Sequence, residues 1–208
     1  MSNNTEARQK ILSSAELLFA AEGYEATSMR QLAKAAEVNI AMVSYYFGSK
    51  EELYRTLVRE RMLPFRSHLQ DLIATETETV WLKMEQVIEG YAKRIFNNNC
   101  LHQIIYREMS LQNSPIRAIV AETVLSNRDS IALIVQQGQA VGEFRTDIDT
   151  HLLMTTITGT IVQMIKAPQL SLVLMGKNPE NDSLFTDENQ DRVVNYLKEL
   201  IKNYILIR

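Results

Sequence analysis

The side chains with most to do chemically in this 208-residue chain lie between positions 27 and 53, TSMRQLAKAAEVNIAMVSYYFGSKEEL. Two short helical stretches are separated there by Glu37-Val38-Asn39. Met29, Leu32, Ala33 and Ala36 mark the inward side of the first, Val43 and Phe47 that of the second. The second stretch buries only two or three residues and leaves Ile40, Ala41, Met42, Ser44, Tyr45 and Tyr46 outward. A helix with so little to bury is held out for a partner. Hydroxyls, a thioether and aliphatic groups in that arrangement serve recognition, not bond breaking. The spacing is that of a helix-turn-helix, whose second helix lies in a DNA major groove while the first braces it across the backbone.

Other chemistries find little support. His68, His102 and His151 are scattered, and none stands one helical turn from another metal ligand. Cys100 is the only cysteine, so no internal disulfide can form, and no basic neighbour marks a lowered thiol pKa. There is no Gly-rich phosphate loop and no visible Ser/His/Asp constellation. The expectation is therefore no catalytic residue, no metal, no cofactor and no enzyme activity. An all-helical enzyme and a helical protein–protein adaptor are the competing classes, and specific retention on duplex DNA separates a regulator from both.

The elements that must position the segment read as helices from end to end. Ile11, Leu12, Ala15, Leu18 and Phe19 form one apolar face, stopped at Glu22-Gly23-Tyr24. Thr27 or Ser28 can cap the next helix and Asn39 the one after, which Gly48 ends. Ser49-Lys50-Glu51-Glu52 has the form of a capping box, opening a long helix to about residue 74 with Pro64 inside it. Further helices are expected at 79–97, 100–111 and 115–140, with Pro115 at a first helical position. Val141-Gly142-Glu143-Phe144-Arg145 reads as a connector, and Asp147 or Asp149 caps a helix to about 166, where Pro168 ends or kinks it. Residues 176–187 form a loop before a last helix at 187–206. The fold class expected is all-α.

Composition fits a globular protein: 46% hydrophobic and 23% charged. No apolar run approaches the roughly 18–20 residues that span a bilayer, and the first ten residues lack the apolar stretch of a secretory signal. A cytoplasmic protein with no membrane partner is expected. Residues 1–60 hold seven Lys/Arg against eight Asp/Glu. Any contact with nucleic acid thus depends on where a few cations sit.

Phe19, Gly23-Tyr24, Ala26-Thr27, Leu32-Ala33, Ala36, Val38, Tyr45, Phe47 and Ser49-Lys50-Glu51-Glu52-Leu53 together resemble the DNA-binding domain of the TetR/AcrR family of transcriptional regulators. The likeness covers about residues 7–58, with Gly142-Glu143-Phe144-Arg145 as a weaker echo further on. Two positions depart from the family pattern: Glu37 stands where glycine is usual in the turn, and Ser44 where an aromatic residue is common. The resemblance implies that Arg30 reaches a base edge, where a bidentate pairing with guanine is the commonest specific contact. It implies phosphate contacts from Thr27, Ser28, Tyr45, Tyr46 and Lys50. Asn39, Ile40, Ala41, Met42 and Ser44 complete the DNA-facing set, the apolar members suited to thymine methyl groups.

The resemblance also implies a helix-turn-helix domain at 1–48 and an effector-binding and dimerisation domain at 49–208. The partners expected are a double-stranded DNA operator, a small-molecule effector of unknown identity and a second copy of the chain. Trp81, Met84, Ile88, Tyr91, Phe96 and Tyr106 are candidates to line an effector cavity, with Gln103, Arg107 and Gln163 as orienting polar groups. The helices at about 149–166 and 187–206 would dock on their copies. Thr156, Gly159 and Thr160 would permit close approach, and Leu153, Ile157, Leu197 and Tyr204 would supply contact area. Repression relieved by the effector is the expected activity.

Overall fold

The computed structural model describes residues 2–76, 79–97 and 99–207. Among them are ten helices: α1 (Ser2–Glu22), α2 (Met29–Ala35), α3 (Ile40–Phe47), α4 (Lys50–Ala74), α5 (Val80–Asn97), α6 (Asn99–Met109), α7 (Arg117–Ala140), α8 (Thr150–Lys166), α9 (Pro168–Leu174) and α10 (Asp187–Ile205). The only β pairing among the described residues is an isolated antiparallel bridge between Phe144 and Leu206. The all-α expectation holds.

Helix ends follow local chemistry, with three adjustments. Ser49 accepts from the Glu52 amide at 3.1 Å, but the Glu52 carboxylate turns to Arg59 at 3.3 Å instead of reaching back. Half of the expected capping box forms, because the Ser49 amide is already bonded to the Phe47 carbonyl at 2.8 Å. Pro115 stands in a turn, and α7 opens two residues later at Arg117. Pro168 starts a new helix: its missing amide hydrogen costs nothing at a first helical position, so α9 follows α8 at 106°.

The chain packs as two compact units. The first joins Met1–Pro64 with Asn99–Val124, and within it α1 packs on α2, α3 and α6 while α2 packs on α3. Its core holds Ile11, Leu12, Phe19, Leu32, Val43, Phe47, Leu53 and Leu57 together with Leu101, Ile104 and Ile116. Each large aliphatic side chain fully buried there contributes about 1.5–3 kcal/mol. Polar ties hold α6 in place. The Arg107 guanidinium donates to the Phe19 and Ala20 carbonyls at 3.1 and 2.7 Å, adding to the Gly23 amide that already bonds the Phe19 carbonyl at 3.1 Å and tying α6 to the end of α1. Buried Tyr54 on α4 hydrogen-bonds the buried Glu108 carboxylate, and burial pushes its phenol well above the usual range. It therefore stays a donor.

The second unit contains Phe65–Asn98 and Leu125–Arg208. In it α10 packs on α5 and α8, α5 on α8, and α8 on α9. The connector after α7 is held at several points. Gly142 takes φ 74°, the amides of Gly142 and Glu143 bond the Gln139 and Gly138 carbonyls at 3.1 and 2.9 Å, and the helix closes in a Schellman motif. The Glu143 carboxylate accepts from the Val80 and Trp81 amides at 2.6 and 3.0 Å, capping α5 from a distant part of the chain. Phe144 is fully buried, with its ring so close over Gly138 that a Cβ there would stand 2.2 Å from it.

Leu153, Ile157, Leu197 and Ile201 are buried inside this unit. The first three were expected to supply contact area for a second copy, and they close the unit's own core instead. The large apolar residues that α10 turns outward are Tyr196, Leu200 and Tyr204, and α8 turns Leu152, Thr156 and Gly159 outward.

Candidate nucleic-acid interface

The exposed surface of the first unit is built on α2, the turn and α3. Of the two possible caps for α2, Ser28 is used: its Oγ accepts from the Gln31 amide at 3.3 Å, and the Gln31 side chain accepts from the Ser28 amide at 2.8 Å. This reciprocal capping box fixes the direction in which α2 starts. Thr27 lies inside. Its side chain is 1% exposed and its hydroxyl donates to the Gly23 carbonyl at 2.7 Å, so that hydroxyl is committed to the fold. Arg30, two residues beyond the cap, is exposed.

The turn is tight because Glu37 adopts φ 55°, the one positive φ outside glycine among the described residues. The Glu37 and Val38 amides bond the Lys34 and Ala33 carbonyls at 3.2 and 3.0 Å, again a Schellman closure. Glycine is the natural residue for this geometry. Replacing Glu37 by glycine should recover roughly 1–2 kcal/mol of left-handed strain and return about 0.5–1 kcal/mol through greater freedom of the unfolded chain. A net stabilisation of about 0.5–1 kcal/mol in a denaturant titration is expected, and a loss of stability would mean that the glutamate side chain contributes favourably.

Asn39 caps α3, its Oδ1 accepting from the Ala41 amide at 2.9 Å. α3 spans barely two turns, and only Val43 and Phe47 are buried. Ile40, Ala41, Ser44 and Tyr45 are exposed, Tyr45 to 78%, while Met42 and Tyr46 are half-buried. The Tyr45 and Tyr46 rings meet edge-on at 5.3 Å, and Tyr46 also packs against the unit's core. Lys50 starts α4, with its ammonium bonded to the Tyr24 carbonyl at 2.8 Å and 4.2 Å above the Tyr24 ring. A second, longer bond runs to the Glu25 carbonyl at 3.5 Å, so two of its three N–H donors hold the head of the side chain in place and one is left. Arg30, Ser28, Lys50, Tyr45 and the outer face of α3 thus belong to a single small folded unit.

The expected effector residues are divided. Trp81, Met84, Ile88 and Phe96 are buried in the second unit and Tyr91 is half-buried there. Gln103, Tyr106 and Arg107 belong to the first unit. There Arg107 closes the end of α1, and burial raises the Tyr106 phenol above its ordinary pKa. Gln163 lines a cavity of about 610 Å³ with Thr160, Leu170, Leu174, Arg192 and Tyr196. Helical periodicity gave no sign of this groove, because α9 was not legible as a helix. Among the described residues no group of three or more His, Cys, Asp or Glu side chains gathers to hold a metal ion. No single helix among them is long and apolar enough to cross a membrane.

Comparison with known proteins gives this geometry its context. Residues 11–57 match the family of bacterial regulatory proteins of the tetR type, and residues 77–172 match the tetracyclin repressor-like C-terminal domain. The chain is 31% identical to the HTH-type transcriptional repressor NicS of Pseudomonas putida over 68% of its own length and 67% of that protein's. It is 27% identical to the HTH-type transcriptional regulator YttP of Bacillus subtilis, over 80% and 81% of the two chains. The fold is similar to that of the ketosteroid transcriptional regulator KstR2 of Mycobacterium tuberculosis, with TM-score 0.71, 20% identity and coverage of 97% and 95%. It is also similar to that of FadR from Bacillus subtilis, solved in complex with stearoyl-CoA, with TM-score 0.67, 22% identity and coverage of 91% and 96%. A short, outward-held second helix, a braced first helix and family matches over both regions lead to one conclusion: the chain belongs to the tetR family of bacterial regulatory proteins and is a DNA-binding transcriptional regulator.

Proposed function

We propose that this regulator is a cytoplasmic homodimeric repressor that releases its operator on binding a small molecule. The observation that carries the DNA-binding part is α3, a helix that buries two residues and holds Ile40, Ala41, Ser44 and Tyr45 outward. Two such helices, one from each copy, reach successive major grooves of a two-fold operator about one helical turn apart. Ile40, Ala41 and Met42 meet base edges and thymine methyl groups, and Ser44 and Asn39 offer hydrogen bonds. Ser28, Tyr45, Tyr46 and Lys50 fix the register on phosphates, which orient the protein without reading sequence. Thr27 leaves the set, because its hydroxyl is buried and bonded.

Arg30 is the base-reading cation in this scheme. Arg30→Ala should relax preference at one base pair per half-site, costing roughly 1–3 kcal/mol of discrimination. A randomised-site selection with the wild type and Arg30→Ala tests it. Identical base preferences would confine Arg30 to the backbone, and failure of the wild type to select any duplex would overturn the operator assignment.

Repression has support in kind from NicS, whose name is that of a repressor, and ligand response from FadR, whose solved complex holds stearoyl-CoA. The dimer has support in the outward stripe Tyr196, Leu200 and Tyr204 beside α8. Nothing lies within 4 Å of where a side chain on Gly159 would start, so a second helix can approach closely there. The coupling is testable by reciprocity: an effector that weakens operator binding tenfold, about 1.4 kcal/mol, must itself bind tenfold more weakly when operator is present.

A further inference from the structure

The second unit contains a half-buried arginine whose Nε its own fold leaves without a partner. Arg94 lies on α5 with its Nε buried and without a hydrogen-bond partner. Among the described residues no carboxylate pairs with it. Glu85 and Glu89, the acids nearest on the same helix, both pair with Lys198. The guanidinium lies 5.6 Å above the Phe65 ring, which in turn packs 4.2 Å from the Tyr91 ring. This nest depends on Gly90, one helical turn before Arg94, where a Cβ would stand only 3.1 Å from Phe65. The surroundings are therefore aromatic and the charge is desolvated, and that burial holds the guanidinium below its ordinary pKa. Arginine nevertheless remains charged in proteins. A half-buried cation facing rings and no anion is poorly compensated, and a planar guanidinium is the group best shaped to receive an oxyanion on two parallel hydrogen bonds.

We infer that Arg94 is the anchor for an oxyanion, carboxylate or phosphate, carried on an apolar body that rests against Phe65 and Tyr91. This names the chemical class of the effector and so rests on the ligand-response reading above. In the bound state the oxyanion would supply the counter-charge that Arg94 lacks, and the rings would take up the apolar remainder.

The experiment uses the full-length protein with three probes of one chain length: decanoate, decyl phosphate and decanol. Calorimetry should give at least about tenfold tighter binding for one or both anions than for decanol, since charge-assisted bidentate bonds are the stronger kind. Preference for decanoate or for decyl phosphate identifies which oxyanion fits. Arg94→Met should remove that preference, and Arg94→Lys should keep part of it. Without any probe, Arg94→Met should unfold at the same temperature as the wild type or higher, because an uncompensated charge has been replaced by an apolar chain of similar length. A lower unfolding temperature for Arg94→Met, or no preference for either anion over decanol, overturns the inference. Operator binding followed in the same samples keeps the two readings apart. Release of DNA by decanol alone would preserve ligand response and refute the Arg94 site. Arg94-dependent anion binding with unchanged DNA affinity would preserve the site and refute the response.

Discussion

Replacing Tyr196 and Leu200 together by glutamate should leave a folded monomer and weaken operator binding about a thousandfold. The two side chains are 58% and 39% exposed on α10, one helical turn apart, so the charges replace no core contact within the unit. Across a two-fold axis they would bring four carboxylates onto one apolar face, where desolvation and like charge both oppose docking. The loss in DNA affinity follows from effective concentration. Two heads on one dimer bind the second half-site as an intramolecular event, worth roughly 10²–10⁴ in affinity, and a monomer forfeits it. Sedimentation gives the mass, circular dichroism checks the fold, and anisotropy of a labelled duplex gives the affinity. The neighbouring Leu197 is the control. It is fully buried, so Leu197→Glu should unfold the unit and not merely separate the copies. An intact dimer in the Tyr196/Leu200 variant would move the interface off this face of α10.

Phe144→Ala is expected to cost about 3–5 kcal/mol, the range for deleting a large aromatic side chain from a packed core. A domain of ordinary stability has only about 5–15 kcal/mol in hand. The ring is fully buried against Gly138, and its backbone is pinned on both sides. The Phe144 amide bonds the Gly138 carbonyl at 3.1 Å, the Arg145 amide bonds the Ile205 carbonyl at 2.9 Å, and the Ile207 amide bonds the Glu143 carbonyl at 3.1 Å. The backbone therefore cannot collapse far into the space vacated. Gly138→Ala should act from the other side, costing roughly 1–3 kcal/mol by overpacking. Urea titration measures both. A cost for Phe144→Ala below about 1 kcal/mol would show that the site refills despite these backbone bonds.

What the sequence by itself determined was nine of the ten helices among the described residues, α9 being the exception, and the place of the reading head. A helix start, a stop and an apolar face are local properties. Asn39 at a cap, Gly142 at a closure and the spacing Ile11, Ala15, Phe19 depend on neighbours within a few residues. The same local logic marked α3 as a helix with little to bury. Glu37 stood out in the sequence as a residue in a glycine position, and the structure gives it the positive φ that glycine would take more readily. Tertiary structure decided which angular sector of each helix is covered, and this depends on elements far away in the chain. Leu197 and Leu200 are both leucines on α10, yet one is fully buried and the other faces out. Arg107 looked like a ligand group until the end of α1 was seen to take its donors. Thr27 looked like a phosphate contact until its hydroxyl was found under Gly23. Arg94 gave no signal, since a helix carrying lysines and arginines looks solvated in one dimension. Only the approach of Phe65, allowed by Gly90, shows where its guanidinium lies, with Nε buried and without a hydrogen-bond partner. A 3.6-residue period tells a side chain's direction relative to its own helix. Which other helix, if any, lies in that direction is settled by long-range packing.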